Sequence, residues 1–165
     1  MSGSLTLEQK VKEHKTLITL KGKIDESADF SSASFKGIRV AIFDFAGIRM
    51  INSMGIQVWI AFLKRVPRQT AVIFKRCPLR VINQINLFPA FLAGRKVRIT
   101  SFYAPWFCDQ CDESFSFLLT TKDHFPEGKP LTVPDQTCQK CGEDMEFGVI
   151  EEKYLLFLKR DREAA

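Results

Sequence analysis

The period of apolar and polar positions changes several times along the chain, and each change marks an element. In residues 15–23 (KTLITLKGK), Leu17, Thr19 and Lys21 alternate with Thr16, Ile18 and Leu20, and Gly22 closes the run. That is a strand pattern. The run before it, residues 5–13, is placed to pair with it as a hairpin turning around His14 and Lys15. Residues 27–35 are rich in Ser with Phe30 and Phe35 as apolar anchors, and predict a short helix or an irregular connector. Residues 39–45 (RVAIFDF) are nearly all apolar, which suits a central strand buried on both faces. Ile56, Trp59, Ile60 and Leu63 then fall at helical spacing, predicting an amphipathic helix over residues 55–66 that Pro67 stops. Residues 71–75 read as a short strand. Pro78 opens a second helix carrying Leu79, Ile82, Ile85 and Leu87, Phe88-Pro89 breaks it, and residues 96–102 read as a last strand. Strands alternating with helices predict an α/β fold, a mixed sheet covered by helices.

Beyond residue 103 the pattern changes. Residues 114–120 and 145–150 read as strands, residues 154–158 as a third, and the stretch 122–134, with Pro126, Gly128, Pro130 and Pro134, as a loop between them. Charge changes at the same place. Residues 1–103 hold 17 Lys+Arg and 6 Asp+Glu, a net of +11, whereas residues 104–165 hold 7 and 13, a net of −6. Four of the 5 cysteines also lie in the second part. This break predicts two domains, 1–103 and 104–165, whose opposite charges either help them dock or only colour two surfaces. In the whole chain, 45% apolar and 26% charged residues are globular values, so a core is within reach and wholesale disorder is excluded. The 15 Phe residues are expected to serve two cores. No apolar run approaches the roughly 18 residues that a membrane span needs. Residues 1–10 lack a basic start followed by an apolar core, so no secretory leader and a cytoplasmic location are expected.

The link between the central strand and the long helix runs Gly47-Ile48-Arg49-Met50-Ile51-Asn52-Ser53-Met54-Gly55. Asn52 or Ser53 is placed to cap the helix. A phosphate on Ser53 would meet a helix N-terminus, whose free N–H groups and dipole favour negative charge.

Residues 40–55 (VAIFDFAGIRMINSMG) resemble the signature of STAS domains, the fold of bacterial anti-sigma-factor antagonists: an apolar strand, a polar residue (Asp44), an apolar-spaced connector, then Asp-Ser-x-Gly opening a helix. The upstream LKGKID, residues 20–25, is similar to the family's Leu-x-Gly-x-Leu/Ile-Asp turn, and CPLRVINQINLF, residues 77–88, matches a strand-to-helix stretch in pattern. The resemblance covers about residues 5–103. It implies a protein–protein switch in which a partner kinase phosphorylates the serine and thereby controls binding. Residue by residue, Ser53 matches the phosphoacceptor, Gly55 the following glycine, and Asp25 the acidic residue of the neighbouring turn. With Asn52 these form the implied partner surface. Asn52 departs from the family's Asp, and the segment after Asp25 is shorter than the family's helix. Some members are never phosphorylated and act as scaffolds, so switch and scaffold both stay open. The implied partner is a kinase or phosphatase of the anti-sigma type.

The cysteines carry the sharpest chemical signal. Cys108-Asp109-Gln110-Cys111 and Cys138-Gln139-Lys140-Cys141 are two CxxC pairs separated by 26 residues. Two tight turns, each presenting two thiolates, suit tetrahedral Zn²⁺, and Gly142 suits the turn after the second pair. The arrangement resembles a zinc ribbon, a small β-rich module with a structural Zn²⁺. A redox CxxC needs only one pair, and two disulfides are disfavoured in a reducing compartment. Iron accepts the same four sulfurs. Four cysteines close the shell, which disfavours a catalytic zinc. His124 reads as a loop residue and Cys77 as a buried thiol. The family normally ends with a helix after the last strand. The ribbon is expected in its place, with Phe102, Tyr103, Trp106 and Phe107 filling the interface or forming a partner-binding patch.

The leading expectation is therefore a non-enzymatic regulatory module. The alternative is a nucleic-acid-binding zinc-ribbon protein using Lys64, Arg65, Arg68, Lys75, Arg76 and Arg80 of the basic first part. An acidic ribbon repels phosphate, which makes nucleic acid the weaker expectation. With 2 His, no paired acid and base and no phosphate-cradling loop, little supports an enzyme.

Overall fold

The structure, a computed structural model, describes residues 3–164. Strand β1 (Thr6–Lys12) pairs antiparallel with β2 (Lys15–Ile24) through a tight turn that holds Glu13 at φ 55°. The connector to β3 is a run of turns without a regular helix. Gln9 pins it from the hairpin, donating to Ser34 O and accepting from Ser34 N–H. Strand β3 (Val40–Ile51) lies parallel to β2 on one side and to β4 (Ala71–Lys75) on the other. Strand β5 (Val97–Ile99) adds beside β4, completing a five-stranded sheet in the order β1-β2-β3-β4-β5. The apolar run ends at Phe45, but β3 continues to Ile51. Strand β2 accompanies it there across two register shifts, so that Lys21, Gly22, Lys23 and Ile24 face Gly47, Ile48, Met50 and Ile51.

One face of this sheet is covered. Helix α1 (Ser53–Arg65) buries Gly55, Trp59, Phe62 and Leu63. Ile56 and Ile60 are only half-buried, so the buried stripe is rotated toward Phe62 from the one read in the sequence. Trp59 meets Phe43 and Phe45 edge-on, stacks on Phe91 at 5.5 Å, and donates its indole N–H to Phe91 O at 3.0 Å. Helix α2 (Leu79–Leu87) buries Val81, Ile82 and Ile85, with Pro78 as its N-cap. The expected core residues Leu79 and Leu87 point outward instead. Below the sheet's centre Asp44 is buried, and Arg76 grips its carboxylate through Nε and Nη2 while holding φ 48°. Burial pushes the Cys77 thiol well above its ordinary range.

Strand β6 (Ser101–Cys108) follows β5 after the single residue Thr100, and Cys77 pairs with Phe102 in an isolated parallel bridge. Residue 103 therefore lies within a strand. Strand β6 pairs antiparallel with β7 (Glu113–Thr120) and with β9 (Asp144–Phe147), and β8 (Gln136–Thr137) completes a four-stranded sheet in the order β7-β6-β9-β8. The first turn of the expected loop is the short helix α3 (Thr121–His124).

The expected third strand at residues 154–158 is a helix pair, α4 (Glu151–Tyr154) and α5 (Leu156–Glu163). Tyr154, Leu155, Phe157 and Leu158 are buried. Their spacing fits one helical face as well as a short strand, and the docking surface decides. These helices lean on α2: Asn86 donates to Tyr154 O, and Arg160 donates to Asn86 O. A helix therefore does follow the β-rich region, contrary to the expectation that the ribbon replaces it. Phe102 packs on Phe125, Tyr154 and Phe157, and Trp106 on Phe117 and Phe147. Phe102 and Trp106 are buried, so neither belongs to an exposed aromatic patch. The aromatic rings form two groups, but buried side chains join them into one continuous core.

Candidate functional site

The β-rich region gathers its four cysteines. Cys108 ends β6, and Cys111 lies in the turn before β7. Cys138 and Cys141 lie in the turn between β8 and β9. Because β6 pairs with both β7 and β9, the two turns meet at one end of the sheet. The four Sγ atoms lie within 4.8 Å of one another. Cys108 and Cys141 are 3.5 Å apart, and Cys111 and Cys138 are 3.9 Å apart. Both separations exceed the ~2 Å of a disulfide. They bracket the roughly 3.8 Å edge of a tetrahedron with metal–sulfur bonds of about 2.3 Å. Four cysteines thus lie close enough to hold one metal ion, and their chemistry fits a soft or borderline cation.

The two turns are built alike. The residue after each second cysteine has a left-handed backbone, Asp112 at φ 51° and Gly142 at φ 78°. Asp tolerates that region better than most side chains. In the second turn Cys138 N–H donates to Glu143 O, and Gly142 N–H donates to Cys138 O, both at 2.8 Å. Backbone N–H groups of Cys141 and Lys140 lower the Cys138 thiol to about 7. The Cys111 thiol, hydrogen-bonded to Cys141 and desolvated, is raised to about 12. Lys140 bridges the turns by pairing with Glu113 at 2.5 Å. Cys108 and Cys138 are buried, Cys111 is half-buried and Cys141 is exposed. His124 does not join the group. Its Nδ1 faces the backbone of Thr120.

The second group surrounds the start of α1. Strands β2 and β3 end side by side, Ile24 facing Ile51, so the residues that follow them meet. Asn52 is the cap: its Oδ1 accepts from Gly55 N–H at 2.7 Å. Ser53 occupies the first helical position and is exposed. A Cβ on Gly55 would stand 1.8 Å from Ile24 O, so only glycine lets the helix approach β2 this closely. Asp25 accepts from the N–H and hydroxyl of Ser27, which hold its carboxyl below the ordinary range. The structure therefore brings Asp25, Asn52, Ser53 and Gly55 to one end of the sheet. It also places Glu26 there, which the sequence reading missed. The Asn52 side-chain amide donates to Glu26 at 3.0 Å and lowers its carboxyl. The parallel register of β2 and β3 is the signal that would have found it.

Among the basic residues named for nucleic acid, Arg76 is committed to Asp44 and Arg80 donates to Ile48 O. No helix among the described residues is long and apolar enough to cross a membrane.

No family model matches the sequence, and no curated protein does. Among solved structures, the chain is similar to an anti-sigma factor antagonist from Mycobacterium paratuberculosis. The match covers 58% of this chain and 86% of that one, at 12% identity and a TM-score of 0.44. So loose an overlay carries no argument about function. The mixed sheet covered by helices, followed by a β-rich region with a cysteine cluster, is the fold class read from the sequence.

Proposed function

We propose that this protein is a non-enzymatic regulatory module, a STAS-like switch or scaffold that binds a protein partner at the start of α1. The observation that carries this reading is the exposed Ser53 on an Asn52-capped helix beside the Asp25–Glu26 turn. A modifying enzyme reaches an exposed first-turn serine without unfolding anything. A phosphate there gains from the helix dipole and is opposed by Glu26, so it would alter the local surface strongly. The partner in this reading is an anti-sigma-type kinase or phosphatase in a bacterial partner-switching pathway, and the site of action is the cytoplasm. The four-cysteine cluster holds a structural Zn²⁺, because four thiolates complete its shell and leave no position for substrate.

Affinity capture from native cytosol with the wild type, Ser53→Ala and Ser53→Asp tests the switch. Partner sets that differ between Ala and Asp are expected. Identical sets from all three would remove the switch and leave a scaffold.

A further inference from the structure

The helices cover one face of the five-stranded sheet. The strand registers define what lies on the other. Lys10, Leu17, Ile42, Ile73 and Arg98 form one continuous cross-strand row. Lys12, Lys15, Val40 and Ala71 form the next row. Leu17, Val40, Ile42 and Ile73 are half-buried, yet none of them belongs to the hydrophobic core or packs against it. This is an aliphatic strip in the middle of an open sheet. Its margins are cationic. Lys10, Lys12 and Lys15 stand exposed at the hairpin edge, with Arg98, Lys96 and Arg68 exposed at the other. At the second margin Val40, Arg68, Ala71, Ile73, Lys96 and Arg98 contribute to a recess of about 520 Å³. Among the described residues, neither Arg68, Lys96 nor Arg98 pairs with a carboxylate. The acidic residues on this face are Glu8, which pairs with Lys10 at 3.6 Å, and the buried Asp44, held by Arg76. Arg95 fixes the rim, donating to the carbonyls of Val66, Pro67 and Thr70 around Arg68.

We propose that this open face docks an acidic amphipathic helix of a partner protein. The apolar side of the helix would lie on Leu17, Ile42 and Ile73, and its flanking Asp and Glu would reach the two cationic margins. The dimensions agree. Four inter-strand steps put Lys10 and Arg98 about 19 Å apart, and a helix with its side chains is roughly 10–12 Å across. Long Lys and Arg side chains close the remaining gap. Nucleic acid fits less well, because the centre of the face is aliphatic and carries no aromatic ring for a base to stack on. The surface lies toward the start of β3, whereas Ser53 follows its end. It thus extends the protein-interaction reading to a second site that depends on neither Ser53 nor a metal.

The test uses the full-length protein and a designed helical peptide of about three turns, with Leu along one face and Glu on both flanks. A peptide with the same Leu face and Lys flanks is the control. Binding is followed by fluorescence anisotropy and by amide shifts in NMR spectra. The Glu peptide is expected to bind at least about tenfold more tightly than the Lys peptide, and to weaken with salt, since exposed charges are screened. Shifts should centre on Leu17, Ile42 and Ile73. Exposed charge reversals Lys10→Glu, Lys12→Glu and Arg98→Glu should abolish the preference without unfolding the sheet, and Ser53→Asp should leave it unchanged. Equal binding of the two peptides, or a preference that survives the reversals, would overturn the proposal. So would a self-association of the protein that Arg98→Glu dissolves, or duplex DNA binding here in preference to the Glu peptide.

Discussion

The hydroxyl of Tyr154 donates to the backbone carbonyl of Tyr103, fastening the C-terminal helices to the strand that enters the β-rich region. Burial pushes the Tyr154 phenol well above its ordinary value of 10.0, so it stays a donor. The unfolded chain releases this proton near pH 10 while the folded protein keeps it, so the stabilisation is complete below that pH and declines above it. Tyr154→Phe leaves the Tyr103 carbonyl unpaired and should cost about 1–2 kcal/mol near neutrality. Denaturant titrations of both proteins at pH 7 and pH 11 check this: the gap between them should narrow at the higher pH.

Gly55→Ala should cost about 2–3 kcal/mol, as overpacking does when a rigid neighbour cannot move. The neighbour here is backbone, Ile24 O. Gly128→Ala is a useful contrast, because nothing lies within 4 Å of its added Cβ and only its φ of 78° resists. Thermal melts of the two variants should separate a clash from a backbone preference.

Asn52→Asp keeps an acceptor for Gly55 N–H but removes the donor to Glu26 and sets two carboxylates together. The Glu26 carboxyl, now lowered by Asn52, should titrate at a higher pH in the variant when followed by NMR. Asn52→Ala should instead cost about 1 kcal/mol through loss of the cap.

Purified protein should carry about one equivalent of zinc if the four thiolates form a single site. Chelation should raise hydrogen exchange in β6 to β9 more than in β1 to β4, because metal binding and local folding are linked. Cys138→Ser should lose the metal. A metal-free protein with unchanged exchange in β8 and β9 would refute a structural site.

The two cysteine turns were readable because ligand spacing is local. The hairpin, the central strand and both long helices were readable from period alone. What period could not supply was pairing. Strand β3 runs past Phe45 because β2 escorts it, and no run of residues 46–51 announces that. Glu26 reaches Asn52 only because two parallel strands end level. Residues 154–158 offered an apolar run that suits strand or helix, and α2 settles the matter by presenting a surface for a helix to dock on. The basic residues were visible as a count, but only the registers sort them into a cationic margin, a partner for Asp44 and a clamp on Ile48.

Thr100 is the only residue between the two sheets, and both sides of it are clamped. Its N–H donates to Phe74 O, Cys77 N–H donates to Ser101 O, and Tyr103 N–H donates to Cys77 O. A joint of one residue has two soft torsions, and these bonds leave neither free to swing. Strands β5 and β6 therefore meet without a flexible linker, and the direction in which β6 carries Cys108 is fixed by the same strand that carries Arg98.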